Sequence, residues 1–183
     1  MTVNNAAIML PDSGSARQGG ELAELVIRRL AAADWAAFRA VRLAALRDAP
    51  QAFGSTASDA EKLDEAEWRR RLEQRAVFLA EVASQPVGLA AGVDGDRPGE
   101  AELISMWVAP AWRGHGIGDR LVDAVLAWAA SEQFTTLCLW VAAGNARAER
   151  LYTRHGFAAT GRVQPMGGER VDRLEFEMRR RIG

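Results

Sequence analysis

A length of 183 residues, of which 49% are hydrophobic, fits one domain with a sizeable core. The formal net charge of -1 lacks the basic bias of nucleic-acid-binding domains, so no nucleic-acid partner is expected. A single cysteine excludes an internal disulfide, and two histidines without ligand spacing give no support to a metal site. No apolar run approaches the ~20 residues that cross a bilayer, so we expect a cytoplasmic protein without a membrane partner.

The chain reads as a flexible tail followed by one domain. Residues 1–23 are rich in Asn, Ser, Gly and Ala and predict the tail, and residues 24–183 predict the domain. The predicted strands cover residues 25–30, 76–82, 87–93, 102–108, 135–141, 157–163 and 171–178. The first predicted helix follows Asp34 and ends at Pro50, and the others cover residues 65–74, 117–132 and 146–155. This order predicts a mixed α/β sheet.

The most informative segment is Arg113-Gly114-His115-Gly116-Ile117-Gly118, between a buried strand and a long helix. The first backbone N–H groups of a helix are unpaired, and the helix dipole adds positive charge there. Glycines allow a ligand close to that backbone, so the segment predicts a site for a phosphate-like anion.

Two nucleotide motifs fail on the residues of this segment. A dinucleotide fingerprint that begins at Gly114 needs a glycine at the position of Asp119. A nucleoside-triphosphate loop needs Gly-Lys and then Ser or Thr, but Gly118 is followed by Asp119 and Arg120. A glycine-rich turn without a ligand stays open as the alternative.

Two blocks resemble the GNAT superfamily of acetyltransferases. The pattern Arg/Gln-x-x-Gly-x-Gly/Ala of that family is met by Arg113, Gly116 and Gly118. Its pattern Asn-x-x-Ala-x-x-Leu-Tyr-x-x-x-Gly-Phe is met by Asn145, Ala148, Leu151, Tyr152, Gly156 and Phe157. The resemblance covers residues 26–178, and the stretch 43–55, which contains Arg47-Asp48-Ala49-Pro50, also resembles a bacterial subgroup.

The resemblance implies a mostly antiparallel sheet splayed in the middle and flanked by about four helices. It implies transfer of acetyl from acetyl-CoA to a primary amine, on a small molecule or a protein, by direct attack in a ternary complex; homodimers are common in the family. The alternative is a non-catalytic acyl-CoA-binding sensor or interaction module on the same fold. The implied cofactor-binding residues are Trp107, Val108, Arg113, Gly114, His115, Gly116, Ile117, Gly118 and Asn145.

The resemblance also implies the catalytic groups. Tyr152, the only tyrosine, falls on the position of the acid that protonates the leaving thiolate, and Glu102 resembles a general-base glutamate, with a water chain as the alternative base. Strand alternation predicts that Glu102, Ile104 and Met106 share one face if no bulge intervenes, and apolar neighbours would raise the pKa of Glu102. We expect the acceptor site to be built by the loop 47–58, the helix after it and the hairpin turn 163–171.

Overall fold

A computed structural model of the chain describes residues 25–167 and 173–183, so the predicted tail over residues 1–23 lies outside the described residues. The strands are β1 (Leu25–Arg29), β2 (Ala76–Val82), β3 (Gln85–Asp94), β4 (Glu100–Val108), β5 (Thr136–Ala142), β6 (Ala158–Pro165) and β7 (Leu174–Arg181). The helices are α1 (Trp35–Asp48), α2 (Ala57–Glu61), α3 (Glu65–Glu73), α4 (Ile117–Ser131) and α5 (Ala146–Arg154). Helix α2 is a short addition to the predicted elements, capped by the Thr56 hydroxyl.

The seven strands form one sheet in the order β1-β2-β3-β4-β5-β7-β6. All neighbouring pairs are antiparallel except β4 and β5. Those two strands pair only where Glu100–Glu102 lie beside Thr136–Cys138, although β4 continues to Val108 and β5 to Ala142. The predicted mixed sheet with a central splay is therefore confirmed.

Helices cover the two faces of the sheet, each over its own apolar core. Helices α1 and α3 pack on β2 and β3 through a cluster that includes Phe38 and Trp68, whose rings meet edge to face at 5.2 Å. Helices α4 and α5 cover the opposite face through a cluster that includes Leu121, Val125 and Tyr152. The two faces are called the α1 face and the α4 face below.

The hairpin between β2 and β3 turns earlier than the sequence indicates. Ala83 and Ser84 have φ values of 49° and 63°, and β3 begins at Gln85. The strand predicted over residues 87–93 therefore begins two residues earlier than expected. Two left-handed residues suit the twist of a tight hairpin, and Pro86 is accommodated because the pairing register shifts beside its partner Glu81.

A bulge in β4 decides which side chains face α1. Leu89 of β3 pairs with Trp107, whereas Ala91 pairs with Ile104, so β4 carries one extra residue between these pairs. Ser105 lies in this bulge with a φ of 59°. Ile104 packs on the α1 face and Met106 on the α4 face. The predicted shared face of Glu102, Ile104 and Met106 required a strand without a bulge, and because β4 has one, Met106 leaves the face of Ile104.

Candidate active site

A cavity of about 910 Å³ lies where β4 and β5 separate. Its walls come from the ends of both strands, the glycine segment, helix α5, the loop after α1 and the start of β7. The lining residues fall within 49–53, 106–108, 112–119, 142–154 and 173–174. The cavity therefore joins the two segments that carry the sequence resemblance.

The glycine segment presents bare backbone to this cavity. Gly114 and Gly116 have φ values of 91° and 76°, in the left-handed region that favours glycine. An added Cβ at either position would meet no atom within 4 Å. Gly116 is the N-cap of α4 and has no side chain to accept from the first turn. The helix start is therefore open to an anion.

Gly118 has a different role from the other two glycines of the segment. An added Cβ there would lie 3.2 Å from a Cδ atom of Leu151, so glycine lets α4 and α5 pack closely. Beside this contact, Arg154 of α5 donates to Asp119 of α4 through Nε at 2.5 Å and Nη2 at 2.7 Å. The Arg154 guanidinium lowers the pKa of the Asp119 carboxyl. This contact sets the spacing of the two helices that flank the cavity.

The Arg113 side chain is held by two neighbours instead of pointing freely at a ligand. Its Nε donates to the carbonyl oxygen of Val108 at 2.9 Å, and its Nη2 pairs with the Asp48 carboxylate. The same Asp48 oxygen accepts from the indole Nε1 of Trp107 at 2.8 Å. Asp48 was not among the predicted site residues, although it lies in the stretch that resembles the bacterial subgroup.

The backbone of Val108 faces the gap between β4 and β5. Ala109 donates to Val87 of β3 at 2.8 Å, and successive residues of an antiparallel strand point their backbone groups to opposite sides. The N–H and C=O of Val108 therefore point away from β3. The carbonyl is occupied by Arg113, which leaves the N–H as a donor toward the gap.

Helix α5 brings Asn145 to the cavity and Tyr152 behind it. Asn145 caps α5 by accepting from the N–H of Ala148 at 3.2 Å, and it lines the cavity. Tyr152 is 5% exposed, packs edge to face on Phe157 at 5.8 Å and is not among the lining residues. Burial raises the pKa of its hydroxyl, which therefore keeps its proton across the physiological range.

Glu102 lies outside the cavity lining, at the point where β4 and β5 stop pairing. Its neighbours Ala101 and Leu103 belong to the α4-face core, so its side chain points to the α1 face. Burial raises the pKa of the Glu102 carboxyl to about 7, with further contributions from Asp96 and Glu175. Glu100 and Glu177 add to the same effect. Other carboxylates, and not only the expected apolar neighbours, therefore favour its protonated form.

Three further titratable side chains, those of His115, Arg147 and Arg150, lie in or beside the cavity. His115 is exposed beside Trp112 and is not among the lining residues, unlike the other predicted cofactor contacts. Arg147 and Arg150 line the cavity, and neither forms an ion pair within residues 25–167 and 173–183.

In the same described part, no cluster of His, Cys, Asp or Glu is arranged to hold a metal ion. No helix described here is long and apolar enough to cross a membrane.

Known structures share this fold. An acetyltransferase of the GNAT family from Streptococcus pneumoniae superposes with a TM-score of 0.72 at 24% identity, covering 87% of this chain and 100% of that one. A ribosomal-protein-alanine N-acetyltransferase from Brucella melitensis gives a TM-score of 0.69 at 26% identity, covering 85% and 99%. The protein yncA from Salmonella typhimurium, solved with its cofactor acetyl-CoA, gives 0.69 at 22% identity, covering 87% and 95%.

The sequence comparisons agree with the fold. A protein of Mycobacterium tuberculosis, named a probable N-acetyltransferase, is 29% identical over 108 residues, 57% of this chain and 60% of its own length. The chain spans less than two thirds of each curated relative that it matches, between 22% and 61%. Residues 38–157 match the family model described as the acetyltransferase (GNAT) family. This chain therefore belongs to the GNAT family of acetyltransferases.

Proposed function

We propose that this chain transfers an acetyl group from acetyl-CoA to a primary amine by direct attack. The observation that carries the proposal is one cavity that runs from the open start of α4 to the gap between β4 and β5. The bare backbone of Gly114 and Gly116 suits a pyrophosphate, and the gap suits the pantetheine arm, which pairs with the free edge of β4. Arg147 and Arg150 of α5 add positive charge to the lining of the same cavity.

The proposed reaction needs a neutral amine, because only the free base attacks a thioester. An amine with a pKa near 10.4 is unprotonated in only about 1 molecule in 2,500 at pH 7. Glu102, directly or through a chain of water, takes the proton from the amine, and its pKa of about 7 suits a base at neutral pH. The gap-facing N–H of Val108 donates to the thioester oxygen as negative charge develops there.

The step balances with one proton taken and one given. The neutral amine nitrogen forms a bond to the carbonyl carbon of the thioester and loses one of its two protons to water, while the C–S bond breaks and the electron pair leaves on sulfur. Tyr152 gives its hydroxyl proton to the CoA thiolate, and the raised pKa of the buried phenol keeps that proton available beforehand. The products are an acetylated amine and CoA with a free thiol, and exchange with water then removes the proton from Glu102 and restores the hydroxyl proton of Tyr152.

A specific observation favours the second candidate, an acyl-CoA-binding sensor on the same fold. Neither Tyr152 nor Glu102 lines the cavity. A sensor needs the glycine segment and the gap but no proton transfer. The two candidates therefore predict the same binding of acetyl-CoA and differ in turnover.

Two experiments test the proposal in order. Calorimetry with acetyl-CoA measures binding, and no binding at millimolar ligand overturns both candidates. Release of the CoA thiol is then followed with a panel of primary amines, including small amines, amino acids and peptides with free N-termini. The names of two similar proteins, a ribosomal-protein-alanine N-acetyltransferase and a mycothiol acetyltransferase, justify this breadth. Binding without thiol release across the panel supports the sensor.

A further inference from the structure

We infer that Asp48 is a positioning residue, an inference that rests on the proposed function. Asp48 fixes the position of the CoA-binding wall, formed by the end of β4 and the glycine segment, relative to the loop after α1. Asp48 is the last residue of α1 and is immediately followed by the segment Ala49–Phe53, which lines the cavity. The Asp48 carboxylate contacts Trp107 and Arg113, which belong to the wall formed by the end of β4 and the glycine segment. One carboxylate thus joins two walls that are distant in sequence.

The bulge in β4 makes this contact available. In a regular strand Trp107 would share the face of Ala101 and Leu103, which is the α4 face. The extra residue at Ser105 reverses the alternation and turns the Trp107 ring to the α1 face, where it is 8% exposed. Its indole N–H needs a partner there, and Asp48 provides it at 2.8 Å.

The second contact fixes the direction of the Arg113 guanidinium. With Nε on the Val108 carbonyl and Nη2 on Asp48, the planar group is held at two edges. The side chains of Arg113 and Asp48 are 32% and 24% exposed, so the pair is partly shielded from solvent. Loss of Asp48 would leave the guanidinium beside the glycine segment held at one edge, by the Val108 carbonyl.

The location of Asp48 argues against an incidental surface charge. A carboxylate at the C-terminal end of a helix faces the negative end of the helix dipole, which disfavours it. Asp48 stands at that end of α1 and relies on Trp107 and Arg113 for stabilisation. Its negative charge also lies on the side of the proposed pyrophosphate site, so electrostatics alone would make it unfavourable for CoA binding.

The contacts of Asp48 should favour CoA binding and its negative charge should oppose it, so the affinity of Asp48 variants tests the inference. We expect Asp48→Ala to weaken acetyl-CoA binding about tenfold, because both contacts are lost. Asp48→Asn should fall between, since its amide oxygen still accepts from Trp107 while the charge on Arg113 is unbalanced. The control Glu61→Gln removes a carboxylate whose one ion pair among residues 25–167 and 173–183 is with Arg47, and should bind as wild type. If either Asp48 variant binds as tightly as wild type, or tighter, the inference is overturned.

A measurement without ligand separates this inference from the proposed function. The Trp107 indole N–H resonance, assigned by its loss in Trp107→Phe, should exchange with solvent faster in Asp48→Ala but not in Glu61→Gln. Unchanged exchange in Asp48→Ala overturns the inference. If instead wild type fails to bind acetyl-CoA, the proposed function falls, and the indole exchange still decides whether Asp48 holds Trp107.

Discussion

Glu102 and Tyr152 lie on opposite faces of the central sheet. Glu102 is the last residue of β4 that pairs with β5, and its side chain points to the α1 face. Tyr152, on α5, packs into the core of the α4 face. A thioester in the gap between β4 and β5 would have one of these groups on each side. Proton removal from the amine and proton delivery to sulfur would then occur from opposite sides of the sheet.

Tyr152→Phe should lower kcat about 100-fold or more while the affinity for acetyl-CoA stays within about twofold, because only the proton donor is removed. The aromatic ring still packs on Phe157, so the melting temperature should change little. Thiol-release kinetics and calorimetry on the same preparation check both parts. Full turnover by the Phe variant would rule out Tyr152 as the acid.

The pH profile should report Glu102. Because the carboxyl has a pKa of about 7 and acts as a base only when ionised, kcat/KM should rise with an inflection near pH 7. In Glu102→Gln this inflection should disappear, and the remaining activity should follow the ionisation of the amine alone. Retention of the inflection in the Gln variant would assign it to another group and favour a water chain.

Stability should respond to the same carboxyl. The pKa of Glu102 is raised in the folded state, so between about pH 4.5 and 7 the folded chain holds more protons than the unfolded chain. The free energy of unfolding of wild type should therefore fall as pH rises through this window. Glu102→Gln lacks this loss, so the variant should gain stability relative to wild type up to about pH 7 and keep a constant difference above it. Urea unfolding at pH 5, 7 and 8 measures the difference.

Cys138 should not interfere with assays that count the CoA thiol. It is 3% exposed, and burial together with Glu100 and Glu102 raises the pKa of its thiol, so little reactive thiolate forms. A thiol reagent should leave the folded protein unlabelled for the minutes of an assay and find one thiol per chain in urea. Rapid labelling of the folded protein would show that β5 opens from its neighbours.

The sequence predicted the parts of the site that are local along the chain. The glycine segment, the Asn145 cap and the strand that ends at Val108 each depend on residues next to one another, and the structure has them as expected. The contact of Asp48 with Trp107 joins residues 59 positions apart and depends on a bulge. Ser105 carries no sequence signal for a left-handed residue, so the sequence does not show that regular alternation stops before the end of β4.

The same reason applies to the base candidate. Burial raises the pKa of Glu102, and Asp96 in the turn before β4 and Glu175 of β7 raise it further. The approach of Glu175 follows from strand order, which local patterns do not give. The raised pKa was expected, but from apolar neighbours alone.

Gly116→Ala tests the glycine segment itself, with a control that the chain provides. Gly116 and Gly161 have φ values of 76° and 83°, and an added Cβ at either would meet no atom within 4 Å. Both Ala variants should therefore lose a similar free energy of unfolding, about 1–2 kcal/mol, from left-handed backbone strain. Only Gly116 lines the cavity, where the new methyl group would stand between the backbone and a bound pyrophosphate. Acetyl-CoA affinity should fall at least tenfold in Gly116→Ala and stay unchanged in Gly161→Ala, and equal affinities in the two variants would move the anion site away from the start of α4.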